Sequence, residues 1–375
     1  MNEDRAARYH RLKRRAGVVS LVWSVVILTG LLWTGLSVAL GAAAKAWASF
    51  APRGWADAMA VVFYVIGLSL ISEIGGLPLA FYGGFVLERR YGLSNQRICG
   101  WLKDQAKSLA INLLLGVGAA SLVYRFIHLS PVRWWLPAGC VFALVIVGLS
   151  SLAPVLLLPL FYVVKPLARE ELRARLVALA ERADARVLGA YEWGLGEKTK
   201  RANAALTGLG ATRRILVSDT MLAEYSDEEI EIVLAHELAH HVHGDIWKGL
   251  LFESALVIAG FYVAARVLEG SSRLLGLDGP ADVAGLPLLL LAAGAVALVA
   301  LPAAHAMSRA YERRADRFAL ELTGNSGAFI STMRRLGAQN LAEEQPSRIV
   351  QWLFYSHPPI RERIAAARVF TPMKL

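Results

Sequence analysis

His236, Glu237 and His240 belong to the run His-Glu-Leu-Ala-His, whose residue types and spacing predict metal-dependent hydrolysis. Residues four apart project from the same face of an α-helix, so both imidazoles can bind one ion. Glu237 lies one step round the helix, where its carboxylate can take a proton from activated water and return it to the leaving amine. Zinc accepts imidazole and carboxylate ligands and keeps a position open for water, so the run predicts one Zn²⁺ ion. The alternative is a surface helix whose histidines have other partners.

A catalytic zinc site also needs a third protein ligand, and Glu312 is the best candidate. It lies four residues before Asp316, so a continuous helix would place both carboxylates on one face. Glu312 is predicted to bind the ion, and Asp316 to orient a ligand histidine or brace the site. As an alternative, both acids could form ion pairs on a solvated face with nearby arginines, namely Arg309, Arg313 and Arg317.

His243 is a competing candidate for the third ligand, because it lies one turn beyond His240. Three ligands on one straight helix converge poorly on a small ion, so Glu312 is preferred. Asp245 is expected to support the site from behind or to cap a helix.

The helix that carries the metal pattern has clear ends in the sequence. Ser226 and Glu229 form a capping-box pattern at its start, and Gly244 is a plausible stop. An amphipathic helix is predicted upstream at Arg169–Ala183. Three short β-like runs between these helices predict a small antiparallel sheet: Arg186–Trp193, Arg201–Thr207 and Thr212–Ser218.

Composition indicates that most of the remaining chain lies in a membrane. Hydrophobic residues make up 56% of the sequence and charged residues 19%, more apolar than an ordinary globular surface tolerates. Long, nearly uncharged stretches are sufficient to cross about 30 Å of hydrocarbon as helices. Glu73 and Glu253 lie inside two of them, where a watery cavity or a structural pairing would accommodate an acid. The six candidates are Ala16–Ala44, Ala58–Leu87, Ser108–Tyr124, Trp134–Val164, Gly249–Ala265 and Val283–Met307.

Basic residues in the connecting segments predict the orientation of these helices. Lysine and arginine are concentrated before the first stretch and after the second, so both termini are expected in the cytoplasm. This topology signal accounts for the net charge of +10, and no motif supports nucleic-acid binding. The predicted division begins with a basic tail (residues 1–15) and four membrane helices (16–164). A first catalytic part (165–246), two membrane helices (247–307) and a second catalytic part (308–375) follow.

Beyond the metal pattern, the sequence resembles the type I CAAX prenyl proteases, which are membrane zinc endopeptidases, and their bacterial relatives. Motifs similar to those of the family extend from about residue 60 almost to the end of the chain. They are Leu87–Asn95, Trp101–Asp104, Pro159–Phe161, Pro166–Leu167, Arg201–Ala204, Arg214–Thr220, and Ser356–Pro359 with Glu362–Arg363.

The resemblance implies a fold and further site residues. The expected fold is a predominantly α-helical multi-span membrane protein with about six transmembrane helices, and a split, zincin-like α+β catalytic domain that encloses an intramembrane cavity. Asn203 and the backbone at Ala204 would hold the peptide as an added β-strand. His357 would donate a hydrogen bond to the oxyanion of the tetrahedral intermediate. Arg363 would brace Glu312 or the reacting carbonyl.

The expected partners are the lipid bilayer and a peptide or membrane-protein substrate, prenylated or not. The chain, rich in Ala, Leu and Arg, is typical of bacteria, so the expected location is the inner membrane with the catalytic side in the cytoplasm. Asp245 also resembles the acid that follows the zinc helix in heat-shock membrane metalloproteases, which is an alternative function. Two alternatives from other classes are a transporter or channel with an incidental metal site, and a catalytically silent membrane scaffold. The complete set of base and ligands argues against both.

Overall fold

The computed structural model of the chain describes residues 2–52, 54–208 and 213–371, and these residues are mostly helical. The helices are α1 (Asn2–Trp33), α2 (Leu36–Ala48), α3 (Ala56–Phe81), α4 (Leu87–Arg90), α5 (Ile98–Leu129), α6 (Trp135–Leu156), α7 (Leu158–Phe161), α8 (Glu170–Arg182), α9 (Asp219–Glu224), α10 (Asp227–Val242), α11 (Asp245–Ser271), α12 (Leu286–Thr323), α13 (Ser326–Gln339), α14 (Arg348–Phe354) and α15 (Ile360–Val369). A π-helical segment, Tyr82–Val86, joins α3 to α4. The strands are β1 (Val164–Pro166), β2 (Ala190–Trp193), β3 (Ala204–Thr207) and β4 (Arg214–Ser218).

Five helical segments of the described chain are long and apolar enough to cross a membrane, so the protein is an integral, multi-pass membrane protein. They overlap five of the six predicted stretches. The remaining stretch corresponds to α6, a helix of 22 residues. The five segments are Arg5–Trp33, Ala56–Arg90, Ile98–Leu129, Asp245–Ser271 and Val283–Thr323.

The first predicted stretch, Ala16–Ala44, is wrong as one continuous helix. Helix α1 ends at Trp33, and the separate 13-residue helix α2 follows. Gly35 lies between them with φ 74°, a left-handed conformation that glycine adopts without steric cost. The chain therefore changes direction there, and α2 is too short to cross the hydrocarbon.

An apolar cavity of about 600 Å³ lies among the membrane helices, consistent with the expected intramembrane cavity. It is lined mainly by hydrophobic side chains of α3, α5, α6, α11 and α12, among them Leu68, Phe142 and Phe261. Glu73 and Glu253 are not among its lining residues.

The sheet has four strands in the order β1-β2-β4-β3. β1 and β2 are antiparallel, as are β3 and β4, whereas β2 and β4 are parallel. The prediction of a purely antiparallel sheet is therefore wrong, because the β3–β4 hairpin places β4, not β3, beside β2. β3 is left at one edge of the sheet. Thr212, the predicted start of the last β-like run, lies outside the described residues.

Helix α10 is held in the centre of the catalytic domain by its apolar side. Ile230, Leu234 and Leu238 are almost completely buried, each stabilising the fold by roughly 1.5–3 kcal/mol. They belong to a core that also includes residues of α8, β4 and α13. The predicted capping box is present: the Glu229 N–H donates to Ser226 Oγ at 3.3 Å, and the Ser226 N–H donates to Glu229 Oε2 at 3.0 Å.

The N-terminal end of α1 contacts both parts of the catalytic domain. Arg201, before β3, donates a hydrogen bond of 2.7 Å to the Tyr9 hydroxyl, and Arg14 forms an ion pair of 2.5 Å with Glu343. The N-terminal end and both catalytic parts therefore lie on one side of the membrane helices.

Candidate metal centre

Two packed helices, α10 and α12, bring the predicted metal ligands together. His236, Glu237 and His240 lie on α10, which is buried on several sides. Glu312 and Asp316 lie on the last turns of α12, where this long helix continues beyond its apolar part into the catalytic domain. The predicted continuous helix through Glu312 and Asp316 is therefore present.

The side chains of His236, His240 and Glu312 converge on one point. His236 Nε2 is 3.2 Å from Glu312 Oε2, and His240 Nε2 is 3.4 Å from Glu312 Oε1. One donor atom from each of the three residues lies within 4.8 Å of the other two. Glu312 Oε2 is buried without a hydrogen-bond partner, a costly condition that a bound cation would relieve. Two imidazoles and a carboxylate are the donor set of catalytic zinc sites, so the residues present fit such an ion.

The alternative ion pairs with neighbouring arginines are not formed by Glu312. Its ion-pair partners among the described residues are three histidines: His236, His240 and His357. Arg309 instead donates to two backbone carbonyls of the α14 segment, and Arg313 pairs with Glu362. Glu312 therefore faces the histidines and not the solvated side of α12.

Each of the two histidines has a carboxylate behind its other ring nitrogen. His236 Nδ1 lies 3.0 Å from Asp316 Oδ1, and His240 Nδ1 lies 3.1 Å from Asp245 Oδ2. A proton on each Nδ1 would be donated to these acids, which leaves each Nε2 lone pair free for a metal. Burial lowers the pKa of His236, but the neighbouring carboxylates of Asp316 and Glu312 outweigh this effect and raise the pKa to about 9. The same negative surroundings would stabilise a metal cation at Nε2.

Arginines hold the two supporting acids in place. Arg363 Nε donates to Asp316 Oδ2 at 2.8 Å, and its Nη2 donates to Oδ1 at 2.5 Å. The brace thus acts on Asp316, whereas the resemblance led us to expect Glu312 or the reacting carbonyl. Burial lowers the pKa of Arg363, but the charge of Asp316 outweighs it, and the pKa is above its usual value. Arg314 donates a single hydrogen bond to Asp245, from Nη2 to Oδ1.

Glu237 and His357 lie on the open side of the metal ligands. Glu237 faces the adjoining cavity, and burial raises the pKa of its carboxyl group. His357 comes from the segment before α15, with its Nε2 3.4 Å from Glu312 Oε1. Partial removal from water lowers the pKa of His357, which favours the neutral imidazole near pH 7.

The cavity beside these groups has a volume of about 320 Å³ and reaches the edge of the sheet. Asn203 and Ala204 line it on one side, and Pro358 and Ile360 line it on another. Among the strands of the described residues, β3 pairs only with β4, which leaves its outer edge unpaired. The structure thus brings the predicted substrate residues into the same cavity as His236, Glu237 and Glu312.

Asp245 and Arg314 support the site behind His240. Asp245 was expected behind the site or at a helix cap, and its contact with His240 depends on the left-handed turn at Gly244, φ 64°. Arg314 was not predicted, and no local pattern distinguishes it from its neighbours. His243 lies outside the ligand group, because its Nδ1 bonds to the Ala239 carbonyl at 2.8 Å.

Membrane-spanning helices and a buried His-Glu-His site with an adjacent carboxylate define a membrane metallopeptidase. The sequence model of peptidase family M48 matches residues 166–370, more than half of the chain. A second model, described as the CAAX prenyl protease N-terminal region with five membrane helices, matches residues 2–163. The chain therefore belongs to peptidase family M48 and is a metalloendopeptidase.

Relatives and a solved structure show the same likeness. An uncharacterized metalloprotease, YhfN of Bacillus subtilis, is 34% identical over 82% of this chain and 72% of its own length. CAAX prenyl protease 1 of Saccharomyces cerevisiae is 26% identical over 80% of this chain and 70% of its own. The crystal structure of S. mikatae Ste24p superposes with a TM-score of 0.84 at 21% identity, covering 98% of this chain and 88% of that one. The last comparison shows that the fold is shared.

Proposed function

We propose that the protein is a zinc endopeptidase that cleaves peptide bonds on the cytoplasmic side of a bacterial cell membrane. The observation that carries this proposal is the convergence of His236, His240 and Glu312, with Glu237 beside them and an open cavity in front. A transporter would not need a general base at this position. A catalytically silent scaffold would not need the general base together with all three metal ligands.

The residues divide the work of hydrolysis between them. When bound, a single zinc ion supplies Lewis acidity that polarises the scissile carbonyl and acidifies water. Glu237 accepts the proton of the attacking water and passes it to the leaving amine nitrogen, and its raised pKa suits both transfers. His357, neutral near pH 7, donates a hydrogen bond to the oxyanion of the tetrahedral intermediate. Asp316 and Arg363 keep His236 in the required orientation.

The free edge of β3 is the proposed binding site for the peptide backbone. An extended peptide that pairs with Asn203 and Ala204 would add a strand to the sheet and pass directly over the metal ligands. Backbone pairing gives affinity with little demand on sequence. A substrate is therefore selected as much by having an extended segment that can reach β3 as by its side chains.

The cytoplasmic orientation rests on the basic N-terminal segment. Its six lysines and arginines favour the cytoplasm, and the same end of α1 contacts the catalytic domain. A reporter fused to the C-terminus tests this: a green fluorescent protein is expected to fluoresce, and alkaline phosphatase to be inactive. The opposite pair of results would reverse the orientation.

Prenylated substrates are suggested by relatives that are named CAAX prenyl proteases. A pair of peptides with one sequence, with and without a farnesyl group on a C-terminal cysteine motif, tests this class. A much higher kcat/KM for the farnesylated peptide would support it, and equal values would show that the peptide alone is recognised.

The Glu237→Gln variant tests the proposed reaction. Gln keeps the size of the side chain but cannot accept the proton, so hydrolysis of an internally quenched peptide should be abolished while zinc stays bound. Comparative proteomics of membranes that contain the wild-type protein or this variant would then identify natural substrates by their missing products. Full activity in Glu237→Gln would refute the mechanism.

A further inference from the structure

The first turns of α1 carry polar side chains on two faces of the helix, and residues of both faces contact the catalytic domain. Arg5, Tyr9 and Lys13 are spaced four residues apart and so share one face. Arg5 donates to the Tyr91 carbonyl at 2.7 Å, and Lys13 donates to the Gly83 carbonyl at 2.8 Å. This face of α1 is therefore fixed along the C-terminal end of the second membrane segment, Ala56–Arg90.

Tyr9, Glu88 and Arg201 form a closed hydrogen-bond cluster at this contact. The Tyr9 hydroxyl donates to Glu88 Oε1 at 2.7 Å, and Arg201 Nη2 donates to the Tyr9 hydroxyl at 2.7 Å and to Glu88 Oε2 at 2.9 Å. Lys13 adds a second cation, 2.6 Å from Glu88 Oε1. Tyr9 is 2% exposed, and the Glu88 side chain is 14% exposed. The Tyr9 and Glu88 oxygens are therefore largely shielded from water, whereas the Arg201 side chain is 40% exposed.

Arg201 connects this cluster to the proposed peptide-binding edge. It lies two residues before Asn203, and its carbonyl accepts a hydrogen bond from the Thr220 hydroxyl at 2.8 Å. Asn203 is in turn tied to Ser218 by its N–H, at 3.0 Å from Ser218 Oγ, and by its carbonyl, at 2.9 Å from the Ser218 N–H. The backbone that leads into β3 is thus held by the sheet on one side and through the Arg201 side chain by α1 on the other.

The second face of α1, with His10 and Arg14, contacts the opposite wall of the catalytic cavity. His10 Nε2 donates to the Leu341 carbonyl at 2.8 Å. Arg14 donates to Glu343 at 2.5 Å and to the Tyr355 hydroxyl at 2.8 Å. His10, Glu343 and Tyr355 line the same cavity as Asn203 and Glu237. One helix therefore touches two walls that are contributed by chain segments more than a hundred residues apart.

We propose that Arg201 is a positioning residue for peptide binding, and that Tyr9 and Glu88 hold it so that the edge of β3 keeps a fixed distance from the metal ligands. The end of the first membrane helix is then part of the substrate site. This inference rests on the proposed use of the β3 edge. It predicts that the cluster governs peptide affinity and leaves the chemical step unchanged.

Steady-state hydrolysis of an internally quenched decapeptide by full-length variants tests the proposal. Tyr9→Phe removes one hydroxyl group, and Arg201→Ala removes the whole link. We expect KM to rise about fivefold in the first and at least tenfold in the second, with kcat within about twofold of wild type because the metal ligands are untouched. Arg201→Lys, which keeps the charge, should recover part of the loss. The double variant should be no worse than Arg201→Ala, because both changes break one contact.

Tyr64→Phe is the matched control, since Tyr64 is fully buried among the membrane helices and its hydroxyl bonds to Ser37 at 2.6 Å. It should leave KM unchanged. A second measurement, fluorescence anisotropy of a labelled peptide in the Glu237→Gln background, reports affinity without turnover. There Tyr9→Phe should weaken binding by the same factor.

Unchanged peptide affinity in both Tyr9→Phe and Arg201→Ala would overturn the proposal. So would a loss of kcat at constant KM, or an equal rise in KM in Tyr64→Phe. Failure of the proposed function is separate, because it would show as full hydrolysis by Glu237→Gln whatever the cluster variants do.

Discussion

Replacing Asp316 with Asn tests how much the support behind His236 contributes to metal binding. Asn has nearly the shape of Asp, but it carries no charge and cannot accept hydrogen bonds through both terminal atoms. In the wild-type protein, Asp316 receives two hydrogen bonds from Arg363 and lies 3.0 Å from His236 Nδ1. The variant therefore weakens both the orientation of His236 and the negative surroundings that favour a cation.

The expected magnitude follows from these contacts. Losing the partner behind a ligand histidine typically weakens metal binding about 10–100-fold, equivalent to roughly 1.4–2.8 kcal/mol. Arg363 is 9% exposed and loses its charged partner, so the variant should also unfold at a lower temperature. Asp245, behind His240, remains in place, and the metal site should persist with reduced affinity.

Competition with a chromophoric zinc chelator measures the dissociation constant directly. Glu362→Gln is the matched control, because Glu362 pairs with Arg313 at 2.6 Å but both side chains are about half exposed. Such an exposed pair contributes roughly 0–1 kcal/mol, and its loss should leave the zinc affinity unchanged. Equal zinc affinities in Asp316→Asn, Glu362→Gln and wild type would refute the supporting role of Asp316.

Three further predictions follow from the same site and its helix. Glu312→Ala should lower the zinc content of the purified protein well below one ion per chain, whereas His243→Ala should not; full occupancy after the first change would exclude Glu312 as a ligand. His357→Ala should reduce kcat about 100-fold or more at nearly constant KM, as removal of an oxyanion donor does, and peptide kinetics with both parameters unchanged would contradict that role. Burial raises the pKa of Glu229, but hydrogen bonds, first among them the one from Ser331, outweigh burial and lower the pKa below its usual value. The stabilisation that ionised Glu229 contributes at neutral pH is therefore lost as the pH falls through this lowered pKa. Glu229→Gln should therefore unfold at a lower temperature near neutral pH and respond less to acidification, which thermal unfolding scans across pH will check.

The two pairs of candidate site residues, one on α10 and one on α12, could be predicted from the sequence because the spacing within each pair is local. His236 and His240 lie one helical turn apart, and a capping box marks where that helix begins. Glu312 and Asp316 have the same spacing on a helix that continues out of the membrane. In both cases the periodicity of one helix decides which side chains share a face.

The supporting contacts were harder to predict, because they depend on how distant elements pack. The contact between Asp245 and His240 requires the left-handed turn at Gly244 between α10 and α11. The parallel pairing of β2 and β4 depends on which strand of the hairpin enters the sheet, which alternation of residue types does not show. The cluster around Tyr9 joins segments from three parts of the chain.

Titration of the metal-free protein with zinc tests the central claim most directly. Peptide hydrolysis by the wild-type protein should be absent without metal and should rise linearly until one zinc ion is bound per chain. Glu237→Gln should bind the same single ion and remain inactive. Hydrolysis that is independent of metal, or equal in the two proteins, would contradict the account.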